Sequence, residues 1–537
     1  MDEALEFDYV IVGGGSAGCV LAARLSERAS LRVALVEAGP DRRGAWVDIP
    51  AGLIGTVPTR RLNWALSTVP QRGLGGRVGY QPRGRVIGGS SAINAMCYVR
   101  GHPSDYDDWA AAGCTGWSFD DVLPHFKRAD GCRVPQLDPR WHGFDGPLKV
   151  CAPRSPSGFN RHILEAAAEL GHRPNPDFNG AEQEGVGLFH LTQHDGVRCS
   201  TASAYLDPAR ERDNLRIFAD THATRIVFES RRAVGVEVVR GSSRLCLRAK
   251  AEVLLSAGAF GSPQLLMLSG IGPDDELRRL GIPQVAGCEQ VGANLQDHAD
   301  CIIARRLGDL RLFGNSPAGL LRLWRAWGEY RRQRTGLLTT NFAESGGFFR
   351  TRPGLQRPDA QWHFVMALVD DHGRRRHFGH GFSLHACVLR PKSRGTVRLS
   401  SRDPLAPPRI DPAFLTHPED VATLSAAYRH TALLLRTHAL APHAGRPLVP
   451  EPDCDDDAAI ERFLRRRTDT IYHPVGTCRM GSDPASVLDP QLRVRNVQAL
   501  RVIDASVMPT LVGGNTNAPT VMIAEKAVEL ITSPAHS

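Results

Sequence analysis

The sequence predicts an α/β protein of more than one domain, built on a parallel-sheet unit at its N-terminus. Three observations predict it. A short β-branched run, Asp8-Tyr9-Val10-Ile11-Val12, passes straight into Gly13-Gly14-Gly15-Ser16-Ala17-Gly18, and apolar residues then recur at helical spacing, with Ala17, Leu21 and Leu25 on one face. A second strand, Arg32-Val33-Ala34-Leu35-Val36, ends on Glu37, 19 residues beyond Gly18. A chain of 537 residues also exceeds one ordinary hydrophobic core.

Gly13, Gly15 and Gly18 fill G-x-G-x-x-G in the strand–turn–helix context that gives the pattern meaning. The first glycine permits the tight turn and the second lets backbone approach a pyrophosphate. The third lets the helix pack closely, and the helix opened by Ser16 and Ala17 aims its N–H groups at the anion. Glu37, followed by Ala38, can accept both ribose hydroxyls of an adenosine and would repel a 2′-phosphate. The unit is Rossmann-like, and it leaves NAD and FAD equally open.

Bulk properties exclude several classes. Hydrophobic content of 42% and charged content of 23% are those of a globular protein. The net charge of +8 does not point to nucleic acid, because five of the 65 basic residues are lysine, the arginines are scattered, and no reading motif accompanies them. Twelve cysteines without a C-x-x-C pair read as reduced core thiols, with no metal site. Asp2, Glu3 and Glu6, with a strand beginning by about residue 8, leave no room for a signal peptide, and no apolar run is long enough to span a bilayer. A cytoplasmic location is expected.

Residues 39–83 are too rich in Gly and Pro for long elements, and Trp46 and Trp64 within them read as packing anchors. Next comes Gly84-Arg85-Val86-Ile87-Gly88-Gly89-Ser90-Ser91-Ala92-Ile93-Asn94-Ala95-Met96. Its two small-residue clusters suggest backbone passing close against something flat or charged, or a simple turn into a helix. Continuing through Tyr98, Gly101 and Asp107, this stretch resembles the first signature of the glucose–methanol–choline (GMC) flavoprotein oxidoreductases. The run Gly258-Ala259-Phe260-Gly261-Ser262-Pro263-Gln264-Leu265-Leu266-Met267-Leu268-Ser269-Gly270-Ile271-Gly272 resembles the second. The resemblance extends from about residue 7 to residue 532.

That resemblance implies FAD and a Rossmann-like FAD-binding domain interleaved with an α+β substrate domain carrying an antiparallel sheet. The expected boundaries are an FAD-binding region at 7–300, a substrate segment at 301–390 and a closing region at 391–532. It also implies that Val86, Gly88, Gly89, Ser90, Asn94, Ala95 and Met96 hold the cofactor, as do Ala223 at the adenine, Asp504 and Ala505 near the ribityl chain, and Thr520.

Periodicity supplies the remaining elements. A short amphipathic helix is expected around 160–170, strands at 215–218, 225–228 and 234–239, and at 251–258 a strand resembling the one that closes the family's FAD sheet. Strands follow at 382–389 and 395–399, with helices between about 418 and 467. Between 317 and 334, Leu320, Leu323, Trp324 and Trp327 share one helical face among Arg322, Arg325, Arg331, Arg332 and Arg334. Such a helix can lie in a bilayer interface or pack on the substrate domain, since both share one period. The first option implies a peripheral place on the cytoplasmic face of the inner membrane. The run Arg374-Arg375-Arg376 reads as a solvated loop.

The chemistry falls near the C-terminus. In Thr470-Ile471-Tyr472-His473-Pro474-Val475-Gly476-Thr477 the proline restricts His473 toward extended backbone. The resemblance makes His473 the base that takes an alcohol's hydroxyl proton as hydride passes to flavin N5. In Gly513-Gly514-Asn515-Thr516-Asn517-Ala518-Pro519-Thr520, Asn517 reads as a helix start and, by resemblance, as the residue beside the base. Glu344 aligns with the glutamate that holds the trimethylammonium group in choline oxidases, although Ala343 replaces their tryptophan. Ile93 stands where those enzymes carry a covalently linked histidine, so non-covalent FAD is expected. The expected function is an FAD-dependent dehydrogenase of primary, aliphatic alcohols passing electrons to a quinone-type acceptor. Choline dehydrogenase, a non-redox hydroxynitrile lyase and a non-enzymatic peripheral membrane protein are the alternatives.

Overall fold

The computed structural model describes residues 5–41 and 44–533; Asp2, Glu3, Arg42 and Arg43 lie outside the described residues. Two sheets organise the chain. In the first, the strands run in the order Leu215–Phe218, Val33–Val36, Leu5–Val12, Ser243–Leu255, Arg232–Arg240, His222–Glu229. The first four are parallel and the last two turn back antiparallel. Val33–Val36 is buried throughout, as a parallel strand covered on both faces must be. One expectation is corrected. The strand at 251–258 does not close the sheet but is the end of Ser243–Leu255, which runs through its middle. At thirteen residues it outruns its neighbours and shares one edge between two partners, Arg232–Arg240 and then Leu500–Val502.

The second sheet is antiparallel, in the order Arg446–Pro447, Ala299–Arg306, Gly379–Val388, Ala360–Val365, Ala343–Phe349, Gly185–Leu188. Helices Asn160–Glu169, Pro418–Leu434 and Asp457–Arg467 bury one of its faces around Phe159, Trp362, Phe382, Tyr428 and Phe463. Alternation along a strand leaves every second residue for the opposite face, and there Ala343, His363, Val365 and His385 line a cavity between the two sheets.

Both sheets take strands from distant parts of the chain, so the two units are interleaved. The last helix, Asn517–Thr532, packs on the first, Ser16–Leu25. Across that seam the fully buried Glu525 carboxylate receives Arg24 at 2.8 Å, Arg128 at 3.3 Å and the Tyr205 hydroxyl at 2.8 Å. Replacing Arg24 by Met leaves that buried charge short of its best partner. We expect a loss of about 3 kcal/mol in chemical denaturation, and a change below about 0.5 kcal/mol would show that the pair is dispensable.

Candidate active site

The cavity between the sheets measures about 1170 Å³ and runs from the glycine loop to His473. Its dinucleotide end is built by close backbone contact. Gly13 has φ +102°, and a Cβ on Gly18 would collide with the Gly13 carbonyl oxygen. A Cβ on Gly89 would stand 2.6 Å from the Gly15 Cα, and the Gly88 N–H donates to the Gly14 carbonyl at 2.7 Å. The two small-residue stretches are therefore pressed together, which answers what the second one lies close against. Above Gly15 itself, a Cβ would meet one atom, Gly89 Cα at 3.9 Å. Open space there is the cradle a pyrophosphate needs.

Electrostatics agree with an anionic guest. The Ser16–Leu25 helix begins on Gly15 with no side-chain cap and no acid in its first turn, and the same holds for Asn517–Thr532, which begins after Thr516. Two uncapped helix N-termini thus face one cavity, each offering unpaired N–H groups and a positive dipole end. Glu37 accepts from the N–H groups of Gly14 at 2.9 Å and Gly39 at 2.8 Å, keeping a lone pair on each oxygen for a ribose. Burial pushes its carboxyl up to about 7. Asp504, also pushed up by burial, accepts from the Gly258 N–H at 2.8 Å and the Ser262 hydroxyl at 2.5 Å, and so ties the second signature to the closing segment. Gly13, Gly15, Ser16, Ala17, Glu37, Ala38, Gly89, Ser90, Asn94, Ala95, Met96, Ala223, Asp504, Ala505 and Thr520 all line the cavity. Gly18, Val86 and Gly88 do not; their part is to let the loops pack.

At the other end His473 is held from three sides. Its backbone N–H donates to Asp297 Oδ1 at 2.9 Å, and Asp297 Oδ2 accepts from Thr470 at 2.5 Å. Tyr472, just before it, has φ +77°, a kink fixed by Arg83 donating to its carbonyl at 2.9 Å. The ring meets two partners: His298 Nδ1 lies 2.9 Å from His473 Nδ1, and Asn515 Nδ2 lies 3.2 Å from His473 Nε2.

These contacts determine the tautomer. His298 Nε2 lies 3.2 Å from the Leu389 carbonyl, which can only accept, so that nitrogen carries the proton. Burial holds His298 down at about 3, hence neutral, and its Nδ1 is a bare acceptor. His473 must then donate through Nδ1–H, leaving Nε2 unprotonated beside the Asn515 amide. His473 is itself held well below 6.5, by burial first and then by His298, His363 and Arg83. A hydroxyl placed against Nε2 meets a lone pair and an amide donor together.

The structure corrects two site assignments. Asn515, not Asn517, faces His473. Asn517 is the first residue of its helix, where its side chain accepts from Ser16 Oγ at 2.8 Å and links the dinucleotide loop to the closing helix. Glu344 is turned away from the cavity, because strand alternation gives that face to Ala343. Its carboxylate is taken up by the Thr340 hydroxyl at 2.5 Å, the Ser157 N–H at 2.7 Å and Asn160 Nδ2 at 2.7 Å. Trp46 packs its ring on Gly55, and at 43% exposed it also lines the cavity.

Several residues escaped the sequence. His363 stacks on Phe189 with its Nε2 3.4 Å from Asn515 Nδ2, and its buried Nδ1 has no partner among the described residues. Arg198 is buried and donates to Val47, Ser91 and Asn94. Polar residues clustered at a strand start, Gln296-Asp297-His298, were the one available signal for His298.

Both the sequence and the fold have known relatives. The GMC oxidoreductase family models match residues 7–300 and 391–524. The chain is 44% identical to an alcohol dehydrogenase [acceptor] of Pseudomonas putida, covering 98% of this chain and 95% of that one. It is 43% identical to mitochondrial choline dehydrogenase of Homo sapiens, covering 98% and 90%. Among solved structures it resembles pyridoxine 4-oxidase from Mesorbium loti at 33% identity and TM-score 0.87, over 97% and 98% of the two chains. Formate oxidase of Aspergillus oryzae gives 26% identity and TM-score 0.92, over 99% of each.

If His473 takes the alcohol's proton, its burial sets the acid limb of the rate. The required form of His473 is unprotonated, and its depressed pKa keeps it so as pH falls through 6.5. We expect kcat/KM to stay level across that pH and fall only well below it. An inflection at or above 6.5 that tracks with His473 would contradict the assignment.

Proposed function

The chain belongs to the GMC oxidoreductase family, and on that premise we propose that it oxidises primary aliphatic alcohols to aldehydes. It is an FAD-dependent oxidoreductase acting on CH–OH donors. The observation that carries the aliphatic reading is the character of the cavity around His473. Phe313, Leu323, Phe342, Ala343, Val365, Ala367 and Ile471 line it there, and among the described residues the carboxylates lining the cavity are Glu37 and Asp504, both on the cofactor's side.

The residues divide the work by position. Gly13, Gly15, Ser16 and Ala17 would hold the pyrophosphate, Glu37 the ribose and Ala223 the adenine. Gly89, Ser90, Asn94, Ala95 and Met96 would hold the flavin with Asp504, Ala505 and Thr520, while the Asn517 helix end favours negative charge at its ring. When bound, FAD supplies the two-electron acceptor for the carbinol carbon. His473 Nε2 accepts the hydroxyl proton, and the Asn515 amide donates to the alcohol oxygen from the same side. His298 receives the Nδ1–H bond that keeps the ring oriented as it becomes cationic. The apolar walls exclude water and accept a hydrocarbon chain. Ile93 lines the cavity with no nucleophile to offer, so we take the FAD to be non-covalent. Electrons leave to an external acceptor; we assign it as a quinone, reached by peripheral contact with a membrane.

Choline is the second reading, favoured by the 43% identity to a choline dehydrogenase. It would bring an unpaired cation into a cavity that Glu344 does not line, its carboxylate being engaged by Thr340, Ser157 and Asn160.

A substrate panel on the holoenzyme with a soluble acceptor, with and without oxygen and beside a quinone analogue, tests the proposal. We expect a medium-chain alkanol to exceed choline in kcat/KM by on the order of 10²-fold, the effect of about 3 kcal/mol. Alkanols should bleach the flavin anaerobically, which a lyase would not show. Saturable choline turnover without alkanol activity would sink the reading. Acid precipitation should release free flavin, and flavin retained in the pellet would overturn the non-covalent assignment.

A further inference from the structure

The helix Pro317–Gln333 sits on the fold by an unusual face. It buries Gly319, Ala326 and Tyr330 and turns its larger apolar residues outward: Trp324 is 73% exposed, Leu320 62%, Leu321 49% and Trp327 45%. An amphipathic helix stabilising a domain buries its apolar stripe; this one buries small residues and a tyrosine. The expectation that its Leu/Trp face packs on the substrate domain is thereby corrected for Leu320, Trp324 and Trp327, while Leu323 is half-buried against the cluster around Phe342 and Ile471.

The patch continues beyond the helix. The Arg322 guanidinium donates to the Leu310 and Leu312 carbonyls, which sets the exposed Leu310 alongside. Phe378, 70% exposed, bridges by backbone to Asn315 at the helix start. The patch also borders the cavity, which Leu320 and Leu323 line together with Trp46, Ile54, Arg375, Arg376 and His377. Exposed apolar surface of this extent marks a docking face.

Charge decides the partner. Arg322, Arg325, Arg331 and Arg332 lie on the same helix as the tryptophans, Arg334 caps its C-terminus, and Arg375 and Arg376 line the cavity together with Leu320 and Leu323. Nearby acids are engaged: Glu329 by Thr335, Asp371 by Arg374, and Asp370 by Arg467 and His377. Among the described residues, Arg325, Arg331, Arg332 and Arg376 make no ion pair. A two-fold contact with a second copy would set this cationic collar against itself. An anionic bilayer meets both features, since tryptophan prefers the interface and arginine the lipid phosphates.

We infer that this surface docks the protein on an anionic lipid bilayer with the cavity mouth at the interface. The inference rests on the proposed peripheral, quinone-coupled reading, and it names the surface and the lipid chemistry. An amphiphilic alcohol concentrated at the interface then stands at the entrance of its own site.

Co-sedimentation of the holoenzyme with vesicles, without substrate, tests it whatever the substrate panel returns. We expect binding to phosphatidylcholine vesicles containing phosphatidylglycerol, weakening with added salt, and little to pure phosphatidylcholine. Trp324→Ala with Trp327→Ala should lower that affinity by about tenfold or more, and Arg325→Gln with Arg331→Gln should weaken both the binding and its salt dependence. Alcohol oxidation with a soluble acceptor should be unchanged in both, because none of the four lines the cavity. Wild-type protein that ignores anionic vesicles, a tryptophan variant that binds them equally well, or a wild-type dimer that the tryptophan variant converts to monomer would each overturn the proposal.

Discussion

The active site depends on one hydrogen bond between two buried neutral histidines. His298 and His473 meet Nδ1 to Nδ1 at 2.9 Å, and both lie in surroundings that penalise their charged forms. If His298 faced a carboxylate in place of the Leu389 carbonyl, its protonation state would be open and so would that of its partner. The carbonyl admits one answer. Everything around the pair serves to keep it: Asp297 pins the His473 backbone, and Ala299 and Asp300 run beside Thr470 and Asp469. The same burial makes folding sensitive to acid. The three neutral histidines His298, His363 and His473 contribute stability that is fully present above 6.5 and lost as pH falls below it, because the unfolded chain takes up protons that the folded one refuses.

A second constraint is topological. The glycine loop and His473 lie more than 450 residues apart in sequence, so the chain must return to where it began. Leu500–Val502 joins the first sheet, and the last helix locks onto the first through the Glu525 cluster and the Ser16–Asn517 bond. The result sets two uncapped helix N-termini against one cavity. Leaving seven backbone N–H groups without side-chain caps (Pro519 has none to offer) is costly in an isolated helix pair, and it makes physical sense where an anionic dinucleotide supplies the partners.

Local features were the legible ones. Gly13, Gly15, Gly18 and Glu37 declare themselves because a turn, a close approach and a strand end each demand a particular residue within a few positions. Strands such as Leu215–Phe218 and helices such as Asn160–Glu169 follow from periodicity alone. What could not be read was which way a side chain faces once several elements converge. Asn515 and Asn517 are two residues apart in one motif, and only the fold reveals that the second turns back to Ser16. Glu344 lies on a cavity-lining strand, yet alternation sends it into the opposite layer, toward Thr340 and Asn160. His298 meets His473 across 175 residues, a distance over which no spacing rule operates. The Trp/Arg helix was visible as amphipathic, but its period could not tell which face the rest of the chain would cover.

The claim that most needs a direct test is that Asn515 shares the alcohol with His473 while Asn517 closes the fold. Rapid mixing of oxidised Asn515→Ala and Asn517→Ala holoenzymes with an alkanol under anaerobic conditions separates the two. Asn515→Ala should keep its flavin but reduce it slower by about 10²-fold or more. Asn517→Ala should instead lose flavin content or thermal stability, with near-normal reduction in whatever fraction stays loaded. Slow reduction confined to Asn517→Ala, with Asn515→Ala reducing at the wild-type rate, would contradict it.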